Sequence, residues 1–267
     1  MAKFTHYLVT RFNVPIEQWD RDKQGQRTLD EAWMAHRLDL FTRFCVPTIS
    51  GQTENKFKWI IYCDKQTDGL ALDQIHKATR EVQNTSIRFA ADFDQLLNDL
   101  KLLTLNADTS FVITSRVDND DGLGKNFIKE VQRHFVEKDN TIINLNGGIL
   151  YDEEKRILTE IRNKKYNHYG SLIEEIKPAD NLMSVLGYPH DNPPSHYHII
   201  NVDCRFSWLK IIHSRNLKSK TYGFPISLNM VLPHYTFNKT DMPISLVNIW
   251  KYAGRKLIER IQKKIRN

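Results

Sequence analysis

The sequence predicts an α/β fold in which helices cover a mostly parallel central sheet. Strand-like and helix-like segments alternate four times within residues 1–145, a pattern typical of parallel strands joined by right-handed crossovers. Apolar residues make up 40% and charged residues 26% of the 267 residues, as in globular domains, which excludes a largely disordered chain. A chain of this length forms between one and two domains.

The predicted strands of this alternation are short and apolar. Strands are expected over residues 6–13, 57–63, 86–90, 110–117 and 141–145, and helices over residues 70–82, 92–105 and 124–137. Another helix, between the first two strands, begins at a capping box formed by Thr28 and Glu31 and presents an apolar face from Trp33 to Phe44. We expect Pro47 to end this helix.

The pattern changes after Gly147-Gly148. The segments that follow are a β-hairpin over residues 148–161, a long loop over 178–196, and strands over 197–202 and 207–213. Long loops inside compact domains are often functional.

Several classes of protein are excluded by composition. No apolar run approaches the roughly 18 residues that a membrane-spanning helix needs, and the N-terminal residues lack the basic and apolar regions of a cleaved signal peptide. The three cysteines, Cys45, Cys63 and Cys204, are far apart and form no C-x-x-C pair. This favours reduced thiols over a disulfide framework or a zinc site, so we expect a cytoplasmic protein.

The positive charge of the chain lies in its C-terminal segment. The net charge is +6, and residues 251–267 carry seven basic side chains and one acidic one, so the rest of the chain is neutral. Apolar residues recur there at helical spacing: Leu246, Trp250, Ala253, Leu257, Ile261 and Ile265. This predicts a basic amphipathic helix over residues 243–267, which either packs on its own domain or lies on an anionic membrane surface. A neutral domain with a basic tail does not indicate nucleic-acid binding.

The most informative motif is the acidic string from Asp118 to Asp121, which directly follows an apolar strand. Asp64 ends the second strand in the same way, and ligands of parallel sheets bind beyond the carboxyl ends of the strands. Carboxylates at positions i and i+2 can converge on one Mg²⁺ or Mn²⁺ ion, whose other ligands are water and phosphate oxygens. Such an ion neutralises the charge that develops when a nucleoside diphosphate departs.

Two other interpretations of the acidic string were open. Asp, Asn and Gly are common turn formers, so an acidic surface turn is the simplest alternative. An EF-hand loop that starts at Asn119 would have Asn at its first position and Leu123 at its fifth, and it would follow a strand where a helix belongs. We therefore set the EF-hand aside.

The chain resembles the GT-A glycosyltransferases and, within that fold, a bacterial rhamnosyltransferase family. The resemblance covers about residues 4–220. It is carried by TRFNV (10–14), W-x-x-x-R-x-x-L-F (33–41), the run from C-x-P-T-I-x-x-Q to FKWIIYCD (45–64), TSRVDNDDGL (114–123) and W-L-x-x-x-H-x-x-N (208–216). It implies that residues 1–145 bind the nucleotide sugar, that residues 146–242 form the acceptor side, and that the C-terminal helix is an addition.

The resemblance also implies a metal site. It assigns Asp118 and Asp120, together with His213, to a Mn²⁺ or Mg²⁺ ion that binds the donor diphosphate. Asp121 would support these residues or touch the donor sugar. An imidazole ligand suits Mn²⁺ better than Mg²⁺.

Three further residues are implied in donor binding. Arg11 would face the same crevice from the end of the first strand. Asp64 would accept a hydrogen bond from the nucleobase, or would only cap the loop that follows it. Arg116 would touch the donor, or would only neutralise the acidic string.

The catalytic base has no clear signal, because the Glu-Asp pair that inverting GT-A enzymes often carry after the D-x-D motif is missing. The candidates are Glu174, Glu175, His190, Asp191, His196 and Asp203. The sequence does not choose among them, and we name Asp191 and His196 as the catalytic candidates. A histidine can serve as the base because its ordinary pKa is about 6.5. Inversion and retention both stay open.

These observations predict a metal-dependent glycosyltransferase. It would move a sugar from a nucleoside diphosphate sugar to a glycan or lipid-linked acceptor in cell-surface polysaccharide synthesis, in the cytoplasm or at the inner face of the membrane. A sugar-phosphate nucleotidyltransferase is the first alternative, but its early Gly-rich loop is missing, since the first glycine is Gly25. A non-catalytic carbohydrate- or lipid-binding module is the second, and it would need no metal.

Overall fold

Two β-sheets, one of seven strands and one of five, form the body of the protein. The computed structural model describes residues 3–16, 29–177, 182–190, 192–216 and 220–266, and within 257–266 it describes the side chains of Ile258 and Gln262. The contacts given below are contacts among these residues.

The central sheet consists of β1 (Phe4–Arg11), β2 (Lys58–Asp64), β3 (Thr85–Ala90), β4 (Phe111–Arg116), β6 (Thr141–Leu145), β9 (Ser171–Glu175) and β10 (His198–Val202). Its strand order is β10-β6-β9-β4-β1-β2-β3. Four neighbouring pairs are parallel, and the two pairs that include β9 are antiparallel. The predicted α/β class with a mostly parallel central sheet is therefore confirmed.

The second sheet consists of β5 (Gly122–Leu123), β7 (Gly148–Asp152), β8 (Ile157–Ile161), β11 (Trp208–Ile212) and β12 (Phe224–Pro225), in the order β12-β8-β7-β11-β5. The predicted hairpin is present, because β7 and β8 pair antiparallel with Gly148 opposite Ile161. β11 runs parallel to β7 and places Ile212 opposite Asp152. Short β5 follows β4 in the chain, so the chain changes sheets between residues 116 and 122.

The helices are α1 (Glu31–Leu40), α2 (Val46–Ser50), α3 (Gly69–Thr79), α4 (Phe93–Leu105), α5 (Phe127–Arg133), α6 (Leu228–Val231) and α7 (Leu246–Arg266), with a π-helical segment at Phe41–Cys45 and 3₁₀ turns at Leu232–His234 and Lys239–Asp241. Asp30, Asp68 and Asp92 cap α1, α3 and α4 by accepting backbone N–H groups. The predicted C-terminal helix is present as α7. Its amphipathic pattern stays a prediction, because the side chains of Leu257, Ile261 and Ile265 lie outside the described residues.

Pro47 does not end the first helix, contrary to the sequence expectation. The helical path continues from α1 through the π-helical segment into α2, where Pro47 lies in the first turn. A π-helical turn shifts the backbone hydrogen bonds from the i−4 to the i−5 carbonyl, and this segment lies just before Pro47, whose nitrogen has no proton to donate. The helix begins with Asp30 as its N-cap, which accepts from the Trp33 backbone N–H at 2.7 Å, whereas Thr28 of the expected capping box lies outside the described residues.

β9 was not predicted, and it joins the two parts of the sequence. Its five residues lie between β4 and β6, with Ile173 opposite Ile113 on one side and Thr141 on the other. The central sheet is therefore completed by residues from the second half of the chain. The described residues of the predicted loop 178–196 contain no helix or strand, as expected.

The carboxyl ends of β1, β2 and β4 lie at the same edge of the central sheet because these strands are parallel neighbours. These ends carry Arg11, Asp64 and Arg116. The same edge is where open α/β sheets bind their ligands. The fold thus places three of the predicted binding residues on the expected side of the sheet.

Gly148→Ala should destabilise the fold, because the new Cβ would lie 2.1 Å from the Trp208 indole. That ring is fixed by its hydrogen bond to the Leu145 carbonyl oxygen at 3.0 Å and by stacking on Tyr169 at a centroid distance of 5.1 Å. Overpacking of this kind costs about 1–3 kcal/mol, and each kcal/mol lowers Tm by roughly 2–4 °C. Thermal unfolding measures the change. The control is Gly254→Ala, whose Cβ would meet nothing within 4 Å; equal Tm values for the two variants would contradict the packing argument.

Candidate functional site

The acidic cluster, defined as Asp118, Asp120 and Asp121, lies in the loop from β4 to β5. One carboxylate oxygen from each residue lies within 4.8 Å of the other two. Asp120 and Asp121 are buried, and the Asp118 side chain is half-exposed. Carboxylates this close repel one another, and burial removes the water that would screen them, so each requires partners within the protein.

Asp118 is held by a chain of contacts from Arg116 through His168. Nε2 of His168 lies 2.7 Å from Oδ2 of Asp118. Nε of Arg116 donates to the His168 carbonyl oxygen at 2.7 Å, and its Nη2 lies 2.6 Å from His168 Nδ1. Burial lowers the pKa of His168, and a neutral ring with its proton on Nε2 satisfies both contacts. Desolvation raises the pKa of Asp118, but His168 and Arg116 outweigh it and hold that pKa well below its usual range.

Asp120 is held by groups from two distant parts of the chain. Its Oδ2 forms a salt bridge with Arg37 of α1, and Nε2 of His213 lies 2.9 Å away from the same oxygen. Nδ2 of Asn216 donates to this oxygen at 3.4 Å. Burial raises the pKa of Asp120, but Arg37 and His213 outweigh this effect and hold the pKa below its usual range. Asp120 therefore connects α1 to the segment that follows β11.

Two buried polar atoms of α1 have no hydrogen-bond partner among the described residues, namely Nδ1 of His36 and Nε of Arg37. The His36 ring packs edge-on against the His213 ring at a centroid distance of 4.7 Å. Burial and the nearby His213 lower the pKa of His36 to about 4, so its ring is neutral at pH 7. Buried polar groups without partners are uncommon in native proteins and often mark the place of a ligand, ion or water.

Asp121 is tied to the second sheet. Its Oδ1 accepts the Ile211 backbone N–H at 2.8 Å, and its Oδ2 accepts the Tyr169 hydroxyl at 2.6 Å. Burial and the negative charge of Asp120 raise the pKa of Asp121 to about 8. Because both of its oxygens are engaged within the fold, Asp121 positions the loop, and its contact with a donor sugar stays a prediction.

Arg11 lies beside the acidic cluster. Its Nη1 donates to the Val14 carbonyl oxygen at 2.8 Å. Burial lowers the pKa of Arg11, and the negative charges of Asp118 and Asp120 oppose this shift. The structure thus brings both Arg11 and Arg116 near Asp118.

Asp64 lies in a neighbouring cleft rather than in the cluster. The cleft has a volume of about 830 Å³ and is lined by side chains of α1 and α3 and by Asn13 and Thr67. Oδ1 of Asp64 accepts the Gln66 backbone N–H at 2.9 Å, which is the loop-capping contact that the sequence left open. The second oxygen, Oδ2, accepts no hydrogen bond from a described residue, so capping does not exclude a ligand contact.

Of the two predicted catalytic residues, only His196 belongs to the described part of the chain. Asp191 lies outside the described residues. His196 is exposed, its ring packs at 4.5 Å on that of Tyr197, and no described contact joins it to the cluster. His190, the other histidine of the predicted loop, packs its ring edge-on at 4.3 Å from that of His168. The loop therefore reaches the site through His190 rather than through His196.

Sequence reasoning missed four side chains of the site: His36, Arg37, His168 and Tyr169. Arg37 had a signal, since it is the arginine of the W-x-x-x-R motif that begins at Trp33. His168 and Tyr169 precede β9 in a segment without strand or helix periodicity. Their contacts arise because β9 pairs beside β4, which no local spacing could indicate.

A divalent metal ion fits the acidic cluster. Oxygen ligands lie about 2.1 Å from Mg²⁺, so opposite ligands are about 4.2 Å apart, and the cluster oxygens lie within 4.8 Å of one another. The described hydrogen bonds of Asp118 and Asp120 end at their Oδ2 atoms, which leaves each Oδ1 as a ligand atom. His213, the third predicted ligand, contacts Asp120. The three predicted metal ligands are thus close together.

Asp121→Asn should remove a pH dependence of stability. Folded Asp121 keeps its proton up to a pKa of about 8, whereas an unfolded Asp loses it near 3.9. The stability that wild-type Asp121 contributes is therefore complete at low pH and falls as pH rises from about 4 towards 8, by up to about 1.4 kcal/mol for each pH unit. In denaturant unfolding with EDTA present, the free energy of unfolding of the variant should rise relative to that of the wild type as pH increases. Parallel pH profiles would contradict the raised pKa, and exposed Asp203→Asn is the control.

Comparison with solved structures finds chains of S. aureus TarS. Residues 1–349 of S. aureus TarS align with 12% identity and a TM-score of 0.44, covering 78% of this chain and 60% of that chain. The same TarS residues in complex with UDP-GlcNAc align with 14% identity and a TM-score of 0.41, covering 83% of this chain and 62% of that chain. The same TarS residues in complex with UDP align with 14% identity and a TM-score of 0.38, covering 79% of this chain and 61% of that chain.

This chain therefore spans about three fifths of the TarS chains that it matches. No curated protein matches the chain. The family described as "Putative rhamnosyl transferase" matches residues 5–223, a range that includes β1, the acidic cluster, His168 and His213. Because this match covers most of the chain, the protein belongs to that rhamnosyl transferase family.

Proposed function

We propose that this protein is a GT-A glycosyltransferase that moves a sugar from a nucleoside diphosphate sugar to a glycan or lipid-linked acceptor in cell-surface polysaccharide synthesis. The observation that carries the proposal is the acidic cluster at the carboxyl edge of the parallel sheet. Ligands bind at this edge in open α/β sheets. Membership of the rhamnosyl transferase family supports sugar transfer as the reaction.

In this proposal Asp118 and Asp120 hold a Mn²⁺ or Mg²⁺ ion, with His213 as a nitrogen ligand. A bound divalent ion would neutralise the negative charge that develops on the departing nucleoside diphosphate. Arg116 and His168 keep the Asp118 carboxylate ionised and oriented. A hydrogen-bonding partner that orients a metal ligand raises the affinity for the metal and fixes the direction of the ligand.

In this proposal the polar atoms without partners near the cluster bind the donor diphosphate. Arg37 has a guanidinium Nε without a partner, and His36 has an Nδ1 without a partner, both on α1. Phosphate oxygens are strong acceptors for such donors. Asp120 would hold the ion, which would supply positive charge at this carboxylate, and the Arg37 guanidinium would contact the diphosphate.

The nucleoside lies in the cleft beside Asp64. Its volume of about 830 Å³ is within the range of small-molecule sites. Asp64, Asn13 and Thr67 supply polar contacts for a base or a ribose, and Leu38 and Ala71 supply an apolar wall. This places the nucleoside between α1 and α3, next to the cluster that holds its diphosphate.

The acceptor-activating base lies in the loop over residues 178–196, for which the sequence proposes Asp191 and His196. The contact between His190 and His168 supports His190 as a third candidate, because it lies one ring from the Asp118 carboxylate. A neutral imidazole can accept a proton from an acceptor hydroxyl.

Donor and metal binding can be tested by thermal shift with UDP, dTDP, GDP and CMP, each with and without Mn²⁺. A ligand present at about 100 times its Kd adds about 2.7 kcal/mol, and each kcal/mol raises Tm by roughly 2–4 °C. We expect one nucleotide to raise Tm in the presence of Mn²⁺. Asp118→Asn and Asp120→Asn should abolish the shift and sugar transfer. Asp108→Asn, which removes an exposed carboxylate from the loop before β4, at the opposite end of that strand from the cluster, should change neither.

Two results would contradict the proposal. A nucleotide shift that is independent of Mn²⁺ would favour a binding module over a metal-dependent transferase. Full transfer by Asp120→Asn would exclude the acidic cluster as the catalytic centre. Release of pyrophosphate from a nucleoside triphosphate would favour a nucleotidyltransferase instead.

The C-terminal helix supports a membrane surface as a second partner. α7 presents an apolar stripe to solvent, with Trp250 77% and Leu246 70% exposed and with Val247 and Ile258 also exposed. Its opposite side contacts the body through polar groups, since Asn248 donates to the Lys155 carbonyl oxygen at 2.7 Å. Among the described residues no helix has both the length and the apolar composition to cross a bilayer. We propose that α7 lies on an anionic membrane surface with this stripe buried in the interface.

Trp250→Glu should weaken vesicle binding without unfolding the protein, because the Trp250 side chain points into solvent. Co-sedimentation with phosphatidylserine vesicles should fall on the order of tenfold, through loss of apolar burial and added repulsion. Leu102→Glu is the matched control, since Leu102 is an exposed apolar residue of α4. Equal sedimentation of the three proteins would exclude the membrane contact of α7.

A further inference from the structure

A groove beside His213 is rich in positive charge. It has a volume of about 680 Å³ and lies between α7, the turn of the β7–β8 hairpin and residues 220–221. We call it the basic groove, after its five cationic side chains: Lys155, Lys220, Lys251, Arg255 and Lys256.

The acidic residues of the basic groove do not balance these cations. Asp152 is buried, and its Oδ2 accepts from Nζ of Lys155 at 2.7 Å and from the Thr221 hydroxyl. This carboxylate is therefore paired with Lys155 inside the groove wall. Glu154 is the other acidic residue of the lining, so several positive charges stay in excess.

Three of the cations are available to a ligand. Lys220, Lys251 and Arg255 are exposed side chains that line the groove and form no ion pair with a described residue. Lysine offers a mobile point charge, and arginine offers a fork of donors that matches a phosphate group. An excess of three charges matches a phosphate or diphosphate group better than a single carboxylate.

The floor of the groove is apolar. It includes Ile157, Ile212 and the ring of Tyr252, whose hydroxyl donates to the Gly223 carbonyl oxygen at 3.2 Å. A ligand that fits both surfaces has an anionic group attached to a sugar ring or an alkyl chain. A free inorganic ion would contact the cationic side chains of the groove and leave its apolar floor without a partner.

The position of the basic groove connects it with the acidic cluster. β7 and β11 end side by side, and Ile212 at the end of β11 lines the groove. The next residue, His213, lies 2.9 Å through its Nε2 from Asp120 Oδ2. Ile212 and His213 are adjacent in the chain, so the wall of the basic groove and the contacts of the acidic cluster meet at the end of β11.

We propose that the basic groove binds the phosphate or diphosphate group of the acceptor while the acceptor hydroxyl reaches the acidic cluster. This inference rests on the proposed glycosyltransferase function and specifies the chemical class of its acceptor. The donor diphosphate occupies the cluster itself, so the groove serves a second anion. Two kinds of acceptor could carry such a phosphate ester, namely a membrane lipid and a water-soluble glycan.

The direct test measures binding of inorganic pyrophosphate by calorimetry in EDTA, where the acidic cluster has no metal to bind an anion. The wild-type protein should bind pyrophosphate more tightly than phosphate, and added salt should weaken binding. The double variant Lys251→Gln/Arg255→Gln should lose affinity on the order of tenfold. The control Lys77→Gln/Lys129→Gln removes the same charge from exposed positions on α3 and α5 and should bind as the wild type does.

A second arm identifies the source of the phosphate. Phosphatidylcholine vesicles that carry farnesyl diphosphate are compared with phosphatidylserine vesicles of equal surface charge. If the double variant loses binding to the diphosphate vesicles alone, the groove takes a lipid-linked phosphate. If it loses pyrophosphate binding and keeps both vesicle affinities, the groove takes a water-soluble phosphorylated glycan.

Two outcomes overturn the proposal: wild-type protein that does not bind pyrophosphate, or a double variant that binds it as well as the control. These measurements use neither nucleotide nor metal. A failure of the groove is therefore distinguishable from a failure of the donor site, which the Mn²⁺-dependent nucleotide shift tests separately.

Discussion

The need to provide partners for three neighbouring carboxyl groups in one loop links the main parts of this fold. The partners of the acidic cluster come from α1, from the segment before β9 and from the end of β11, through Arg37, His168, Tyr169 and His213. Removing one partner leaves a buried carboxylate unpaired, which costs more than the intact pair contributes. The first helix, the central sheet and the second sheet are therefore mutually dependent at this loop.

The same loop is where the chain passes from the central sheet to the second sheet. β4 belongs to the first and β5 to the second, with the acidic cluster between them. The cleft at Asp64 lies on the side of the central sheet, and the basic groove lies at the edge of the second. A transferase must bring two substrates to one point. In the proposed reaction the donor would use the cleft and the acceptor would use the basic groove, with the acidic cluster between them.

Local patterns in the sequence were sufficient for most elements of the first half. The strands ending in Arg11, Asp64 and Arg116 could be predicted because buried parallel strands are short apolar runs, and their common edge followed from their parallel order. The D-x-D motif could be recognised because its residues are adjacent in the chain.

Long-range contacts could not be predicted in this way. β9 is a five-residue strand that pairs with two strands distant in sequence, and His168 reaches Asp118 only as a result of that pairing. Pro47 was misinterpreted because the π-helical segment before it allows the helical path to continue. His190 and His196 lie in one loop without periodic structure, so spacing alone could not decide which of them approaches the site.

The place of β9 also has a consequence for synthesis. β4 and β6 are made before β9, yet neither has its full set of sheet partners until residues 171–175 lie between them. Chains grow from the N-terminus, and an unpaired strand edge is prone to associate with other chains. While the ribosome is still adding the residues before β9, the growing chain therefore carries an open sheet edge at β4, and closure of that edge is a late step that joins both halves of the sequence.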